Sequence, residues 1–178
     1  NICAGIMAKK LGLPIAHFVA STNSNDTVPQ FLLKGIYEAK PSVATISNAM
    51  DVGNPSNFVR IQELYNNDLN KFKKDFSSYS FTDLETIEAM QLIYNSAGYI
   101  AEPHGAVGYL GLKKEMQKQP ESIGVFLETA HPVKFLDIVE KELEISLEIP
   151  KQIQTVIDKE KKSIKIKTYE DLKSYLQQ

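Results

Sequence analysis

Apolar and polar positions along this chain follow two patterns, one typical of helices and one typical of buried strands. Residues 1–10 carry apolar side chains at helical spacing, and Gly12 suits the left-handed position after a helix. Pro14 then leads into the continuous apolar run Ile15–Ala20. This order predicts a helix, a tight turn and a buried strand.

The same order of elements returns twice. A capping box that begins at Thr82 opens a second helix, Gly98 closes it, and Tyr99–Ala101 forms the next apolar run. A third helix is predicted over 105–119, followed by a strand at Ile123–Leu127. Helices that alternate with short apolar strands predict a parallel sheet covered on both faces, so the expected fold class is α/β, a parallel-sheet layer fold.

The rest of the chain is more polar. We interpret Asn66–Ser80 as an exposed connector or a short helical excursion. We expect one domain over 1–147 and a lysine-rich tail over 148–178, with a short amphipathic helix near the end of the tail. Asn1 already lies inside the first helical pattern, without an initiator Met or a cap, and we therefore expect the chain to be a fragment.

Composition narrows the classes of function. The 178 residues include 20 basic and 22 acidic side chains, a net charge of -2, which gives no electrostatic reason to expect nucleic acid or an anionic membrane as a partner. No apolar run approaches the roughly 20 residues that a membrane-spanning helix needs. The single cysteine, Cys3, cannot form an internal disulfide. We expect a cytoplasmic protein that binds a small polar ligand.

Polar clusters follow the predicted strands. Ser21–Thr27 comes after the first strand, Glu102–His104 after the second, and Glu128–His131 after the third. In parallel α/β sheets, ligands bind at the carboxyl ends of the strands. These three clusters therefore indicate a binding site.

No single cluster supplies a complete catalytic set. Cys3 and His131 could suggest a thiol enzyme, but Cys3 lies on an apolar helix, which favours simple packing. A metal site at Glu102, His104 and His131 lacks a closely spaced His or Cys pair. Three glycines at every third position of the predicted helix indicate close helix packing instead of a phosphate loop: Gly105, Gly108 and Gly111.

Arg60 is the only arginine of the chain. Its planar guanidinium can bind phosphate or carboxylate through two parallel hydrogen bonds, which lysine cannot reproduce. A surface arginine with a weak ion pair is an equally acceptable interpretation.

Four motifs together resemble the threonine synthase family in order and spacing, over about residues 1–150. They are Asn25-Asp26-Thr27-Val28-Pro29; Ser47-Asn48-Ala49-Met50-Asp51-Val52 with Ser56-Asn57-Phe58 and Arg60; Glu102-Pro103-His104-Gly105-Ala106-Val107-Gly108-Tyr109; and Thr129-Ala130-His131-Pro132 with Lys134-Phe135.

The resemblance implies the large domain of a fold type II enzyme that depends on pyridoxal phosphate (PLP), here truncated. The intact protein would be a carbon-oxygen lyase of threonine biosynthesis that converts O-phospho-L-homoserine and water to L-threonine and phosphate, with PLP as the electron sink. In the family, the lysine that forms the Schiff base with PLP lies upstream of the matching region. This chain alone is therefore expected to be inactive and to hold no PLP, with the missing amino-terminal portion as a partner and self-association as a risk.

The resemblance also suggests roles for individual residues. Thr129 matches the hydroxyl that faces the pyridine nitrogen of PLP, although it could instead cap the helix after Pro132. Glu102 matches an acidic residue beside the cofactor ring, or it caps the helix that begins near His104. Asn1 matches the last position of the Gly-Asn-Phe-Gly loop that binds the PLP phosphate. Candidates for the substrate pocket, some of which could be only turn residues, are Asn25, Asp26, Asn48, Asn57 and Arg60. Glu128 occupies a variable position and receives no role.

Two rival functions stay open. Another fold type II enzyme, such as a dehydratase, would release a 2-oxo acid instead of threonine and phosphate. A non-catalytic binding module would use the α/β body and the basic tail as a protein interface, but polar clusters at three strand ends resemble a ligand site more than a flat interface.

Overall fold

The computed structural model describes residues 2–178, and the chain divides into two compact units, with the boundary after Leu147. The helices of the first unit are α1 (Ile2–Lys10), α2 (Thr27–Lys34), α3 (Phe58–Leu64), α4 (Leu69–Asp75), α5 (Asp83–Ala97), α6 (Pro103–Met116) and α7 (Leu136–Leu143), with short 3-10 helices at Asn48–Met50 and Pro132–Phe135. Its strands are β1 (Phe18–Thr22) and β2 (Phe76–Ser80). The second unit contains α8 (Lys151–Gln154) and α9 (Tyr169–Leu176).

The two strands form a parallel pair in which Phe18 lies opposite Phe76 and Thr22 lies opposite Ser80. Parallel strands need a long crossover connection, and here it contains α2, α3 and α4. The predicted α/β class is confirmed. The first predicted strand, Ile15–Ala20, lies two to three residues further along the chain than expected.

Of the two interpretations of Asn66–Ser80, the short helical excursion is confirmed by α4, and the exposed connector is wrong. The segment contains α4 and the whole of β2, and both Phe72 and Phe76 are buried. Phe72 and Phe76 stack with their ring centroids 4.4 Å apart, in a cluster of buried aromatic side chains that also includes Phe31, Phe58 and Tyr65. The lysines of α4 face solvent. Their charges dominate the sequence pattern of this segment, which therefore gave no indication of its buried apolar face.

The capping box of α5 is confirmed. The Thr82 hydroxyl accepts the Glu85 N–H, the Glu85 carboxylate accepts the Thr82 N–H, and Gly98 ends the helix at a φ of 65°. Helix α5 packs against α6 and α7, where Ala89, Met90 and other side chains form a second core. Tyr99–Ala101 does not form the predicted strand, and instead runs as irregular chain into α6.

Ile123–Leu127 pairs with no strand among residues 2–178, contrary to the prediction. Its side chains nevertheless alternate as in a strand. Phe126 lies beside Tyr109 and Gly124 lies against Leu112, both on α6. The opposite face is bare: Ile123, Val125 and Leu127 expose 97%, 78% and 61% of their surface.

Close packing by the α6 glycines is confirmed at two positions. A Cβ atom at Gly111 would collide with Ser21 on β1, and one at Gly105 would collide with the carboxyl group of Glu128. These contacts bring α6 onto the sheet and place the start of α6 beside the polar segment that follows Leu127.

Candidate functional site

The first turn of α6 is organised around Glu102. Its Oε1 accepts the Gly105 N–H at 3.1 Å, and its Oε2 accepts the His104 N–H at 3.0 Å, while Pro103 occupies the first helical position, where no N–H is needed. The Glu102 side chain is completely buried. The capping interpretation of Glu102 is confirmed, and its place beside a cofactor stays a prediction.

His104 joins this helix start to two other motifs. Its Nδ1 lies 2.6 Å from the Glu102 carboxylate, and its Nε2 accepts the Ala49 N–H at 3.1 Å. Its ring packs on Phe135, with centroids 4.8 Å apart. Sequence reasoning considered His104 only as a metal ligand and missed this linking role.

Thr129 follows the extended segment that packs on α6. Its side chain is exposed, and no hydrogen bond to it occurs within residues 2–178. The proposed alternative, that Thr129 caps the helix after Pro132, is wrong, because His131 is the capping residue and its Nδ1 accepts the Val133 N–H at 3.2 Å. The Thr129 hydroxyl is therefore left available to a ligand.

Glu128 is the carboxyl group that sequence reasoning passed over. It lies against Gly105, and its Oε1 is buried without a hydrogen-bond partner in the described part of the chain. Burial raises the pKa of Glu128 to about 7, the nearby Glu102 carboxylate adds to the rise, and a positive charge on His104 would oppose it. The signal in the sequence was that two of the polar clusters after predicted strands begin with a glutamate, Glu102 in one and Glu128 in the other.

Asn25 and Asp26 lie where β1 meets α2. The Asn25 amide exchanges hydrogen bonds with the backbone of Val43 at 2.8 and 2.9 Å and also donates to Asn23 Oδ1 at 2.9 Å. Asp26 pairs with Lys40 at 2.6 Å, and this hydrogen-bonded cation holds the pKa of the Asp26 carboxyl below its usual value, against the effect of burial. Both side chains thus have partners inside the protein.

Asn23, which sequence reasoning also missed, connects the β1–α2 junction to residues on both sides of the Asn48–Met50 turn. It is 1% exposed, and its Nδ2 lies 2.8 Å from Thr45 Oγ1 and 2.9 Å from Asp51 Oδ1. Asp51 in turn accepts the Thr45 N–H at 3.0 Å. This buried network holds the first two motifs against each other, although they are about 25 residues apart in sequence.

The other substrate candidates form no side-chain hydrogen bond or ion pair in the described part of the chain. Asn48, Asn57 and Arg60 are exposed, and within residues 2–178 their side chains form no hydrogen bond or ion pair that would join them to Glu102. Asn57 stands before α3 without capping it. Asn1, the candidate for the phosphate loop, lies outside the described residues.

Two classes of site receive no support from the described residues. Nowhere in 2–178 do three His, Cys, Asp or Glu side chains gather in a way that would hold a metal ion. Across the same residues, every helix is too short or too polar to cross a bilayer.

Comparisons with known proteins find similar sequences and similar folds. Residues 105–176 match the family model described as threonine synthase, C-terminal. A threonine synthase of Haemophilus influenzae is 47% identical over 156 residues, which are 86% of this chain and 35% of that protein. The crystal structure of threonine synthase from Escherichia coli superposes with a TM-score of 0.80 at 42% identity, and covers 88% of this chain and 36% of that one.

A PLP-bound threonine synthase from Brucella melitensis superposes with a TM-score of 0.78 at 27% identity, over 90% of this chain and 39% of that one. The chain therefore spans little more than a third of the proteins that it matches. The expected resemblance to the carboxyl-terminal portion of threonine synthases and the expected fold, that of fold type II PLP enzymes, are both confirmed.

Proposed function

We propose, from the premise that this chain corresponds to the carboxyl-terminal portion of threonine synthases, that the intact protein is a PLP-dependent enzyme that converts O-phospho-L-homoserine and water to L-threonine and phosphate. The observation that carries the proposal is the contact between Glu128 and Gly105. It brings Thr129 next to the helix start that Glu102 caps, and so unites the two motifs that carry the proposed cofactor residues.

Thr129 and Glu102 are suited to positions beside the pyridine ring of PLP. When bound, PLP would supply the electron sink for removal of substrate protons. The Thr129 hydroxyl, which has no partner in the described chain, is suited to a hydrogen bond with the pyridine nitrogen. A neutral hydroxyl does not hold that nitrogen in its protonated form, as an aspartate would. Glu102 fixes the adjacent helix start, with its charge already balanced by N–H donors.

The substrate candidates divide into two groups by their contacts. Asn25 and Asp26 would shape the pocket, because their polar groups already have protein partners. Asn48, Asn57 and Arg60 would contact the substrate, since their side chains are exposed and form no hydrogen bond or ion pair within residues 2–178. Arg60, with the only guanidinium of the chain, is the natural candidate for the phosphate group.

The remaining part of the intact protein is the partner that we propose for the bare face of residues 123–127. A strand buried in a parallel sheet is apolar on both faces, and among residues 2–178 only the face of this segment toward α6 is covered. Tested alone, this chain should associate with itself through that bare face. It should also lose PLP absorbance on desalting, because the family's Schiff-base lysine lies outside the matching region. A monodisperse monomer would contradict the first expectation, and a stable yellow complex the second.

The activity is tested on the intact protein by measuring phosphate and threonine released from O-phospho-L-homoserine. Release of a 2-oxo acid without threonine would instead identify a dehydratase. Thr129→Asp should lower kcat by about tenfold or more while the thermal midpoint changes little, because the side chain is exposed and forms no hydrogen bond within residues 2–178. Thr155→Asp, at an exposed threonine of the second unit, is the matched control. An unchanged kcat in Thr129→Asp would remove the role of Thr129.

A further inference from the structure

His104 lies at the junction of three segments that are distant in sequence. Its imidazole contacts Glu102 at the N-cap of α6, Ala49 in the 3-10 helix Asn48–Met50, and Phe135 in the Thr129 motif. The side chain is 11% exposed, so these contacts replace most of its hydration. One imidazole therefore connects the predicted substrate side of the site with its predicted cofactor side.

The contacts of His104 determine which nitrogen of its ring carries the proton. The Ala49 N–H can only donate, so Nε2 of His104 must accept and carries no proton. The proton of the neutral imidazole is then on Nδ1, which donates it to Glu102 Oε2 at 2.6 Å. Glu102 consequently accepts three N–H donors in all, two from the backbone and one from the ring.

We propose that His104 is a positioning residue that holds the Asn48–Met50 turn in place relative to the Glu102 carboxylate, through opposite roles of its two ring nitrogens. This inference deepens the proposed function, since the turn contains the substrate candidate Asn48 and Glu102 is a proposed cofactor residue. A histidine that only filled space beside Phe135 would need neither hydrogen bond.

Three substitutions of His104 test the hydrogen bonds of its two ring nitrogens separately. His104→Asn keeps an N–H donor near the Nδ1 position but cannot reach Ala49, whereas His104→Gln extends an acceptor toward Ala49 and gives up the Nδ1 position. His104→Phe keeps the ring packed on Phe135 and loses both hydrogen bonds. His17→Phe is the matched control, because His17 contacts Ser77 at 2.8 Å on the β1–β2 side of the protein.

The first readout is amide hydrogen exchange at Ala49, resolved by NMR in the full chain. Loss of the Nε2 acceptor should speed exchange about fivefold or more in His104→Asn and His104→Phe, with recovery toward the wild-type rate in His104→Gln. Exchange at Met90, which is fully buried in α5, should stay unchanged and so report intact folding. Equal Ala49 exchange in all variants, or exchange in His104→Gln as fast as in His104→Phe, would overturn the proposal.

The second readout is steady-state kinetics of the intact protein. His104→Asn should raise KM for O-phospho-L-homoserine at least about fivefold with a smaller change in kcat, because the Glu102 contact survives. His104→Gln should lower kcat with a smaller change in KM, because the Ala49 contact survives and the Glu102 contact is lost. Equal effects of both variants on KM and kcat would contradict a positioning role. If the intact protein makes no threonine, the proposed function fails, while the exchange experiment still decides the role of His104.

Discussion

Replacement of Glu128 by glutamine should remove a pH-dependent loss of stability. The Glu128 carboxyl lies against Gly105, has a buried Oε1 without a partner in residues 2–178, and faces the carboxylate of Glu102. Burial, together with Glu102, raises its pKa from the ordinary value of 4.5 to about 7. The folded protein therefore binds this proton more tightly than the unfolded chain does.

The sign of the effect follows from proton linkage. A group whose pKa is higher in the folded state favours folding when it is protonated, so the free energy of unfolding falls as the pH rises from 4.5 to about 7. The full pKa difference corresponds to at most about 3 kcal/mol. Partial exposure of Glu128 and the positive end of the α6 dipole both reduce this figure, and we expect about 1 kcal/mol.

The assay is urea unfolding of wild type and Glu128→Gln at pH 4.5, 5.5, 6.5 and 7.5. The difference in unfolding free energy should shift by about 1 kcal/mol in favour of the variant across this range. Any constant cost of placing an amide beside Gly105 cancels in this comparison. Glu121→Gln, the same change at an exposed position, should give a curve parallel to wild type. Parallel curves for wild type and Glu128→Gln would refute the reasoning.

Two further predictions concern the fold. Phe72→Ala should lower the free energy of unfolding by about 3–5 kcal/mol in urea titrations, because its buried ring contacts four other aromatic rings; a loss below about 1 kcal/mol would contradict the packing. Although burial alone would raise it, hydrogen bonds from Ser77, Tyr79 and Lys118 hold the pKa of Glu115 below its ordinary value of 4.5. Glu115→Gln should therefore destabilise the protein at pH 7 by about 1–3 kcal/mol, and the difference from wild type should shrink as the pH falls below 4.5; a pH-independent difference would argue against an ionised Glu115.

Helix ends were the most predictable part of this protein. The capping box at Thr82, the left-handed Gly98 and the cap formed by Glu102 all occur where the sequence indicates. Each of these features depends on residues within three or four positions of one another, so the local sequence contains the partners that satisfy the free N–H and C=O groups.

Strands were predicted less well, because a strand exists only with a partner. β2 was missed since its Phe and Ser residues lack a continuous apolar run, yet it pairs with β1, nearly 60 residues earlier in the chain. Conversely, Ile123–Leu127 has the composition of a buried strand, but among residues 2–178 no neighbour pairs with it. Sheet pairing joins distant segments, and apolar composition alone does not identify them.

For the candidate site, the sequence by itself determined which motifs are present, that Glu102 precedes Pro103 at a position suited to a helix cap, and that Arg60 is the only arginine. Only the tertiary structure decided that His104 links Ala49 to Glu102, that His131 instead of Thr129 caps the following helix, and that Glu128 is partly buried beside Glu102. The physical reason is that hydrogen-bond partners and desolvation depend on which distant segments pack together, and a linear pattern of residue types does not contain those distances.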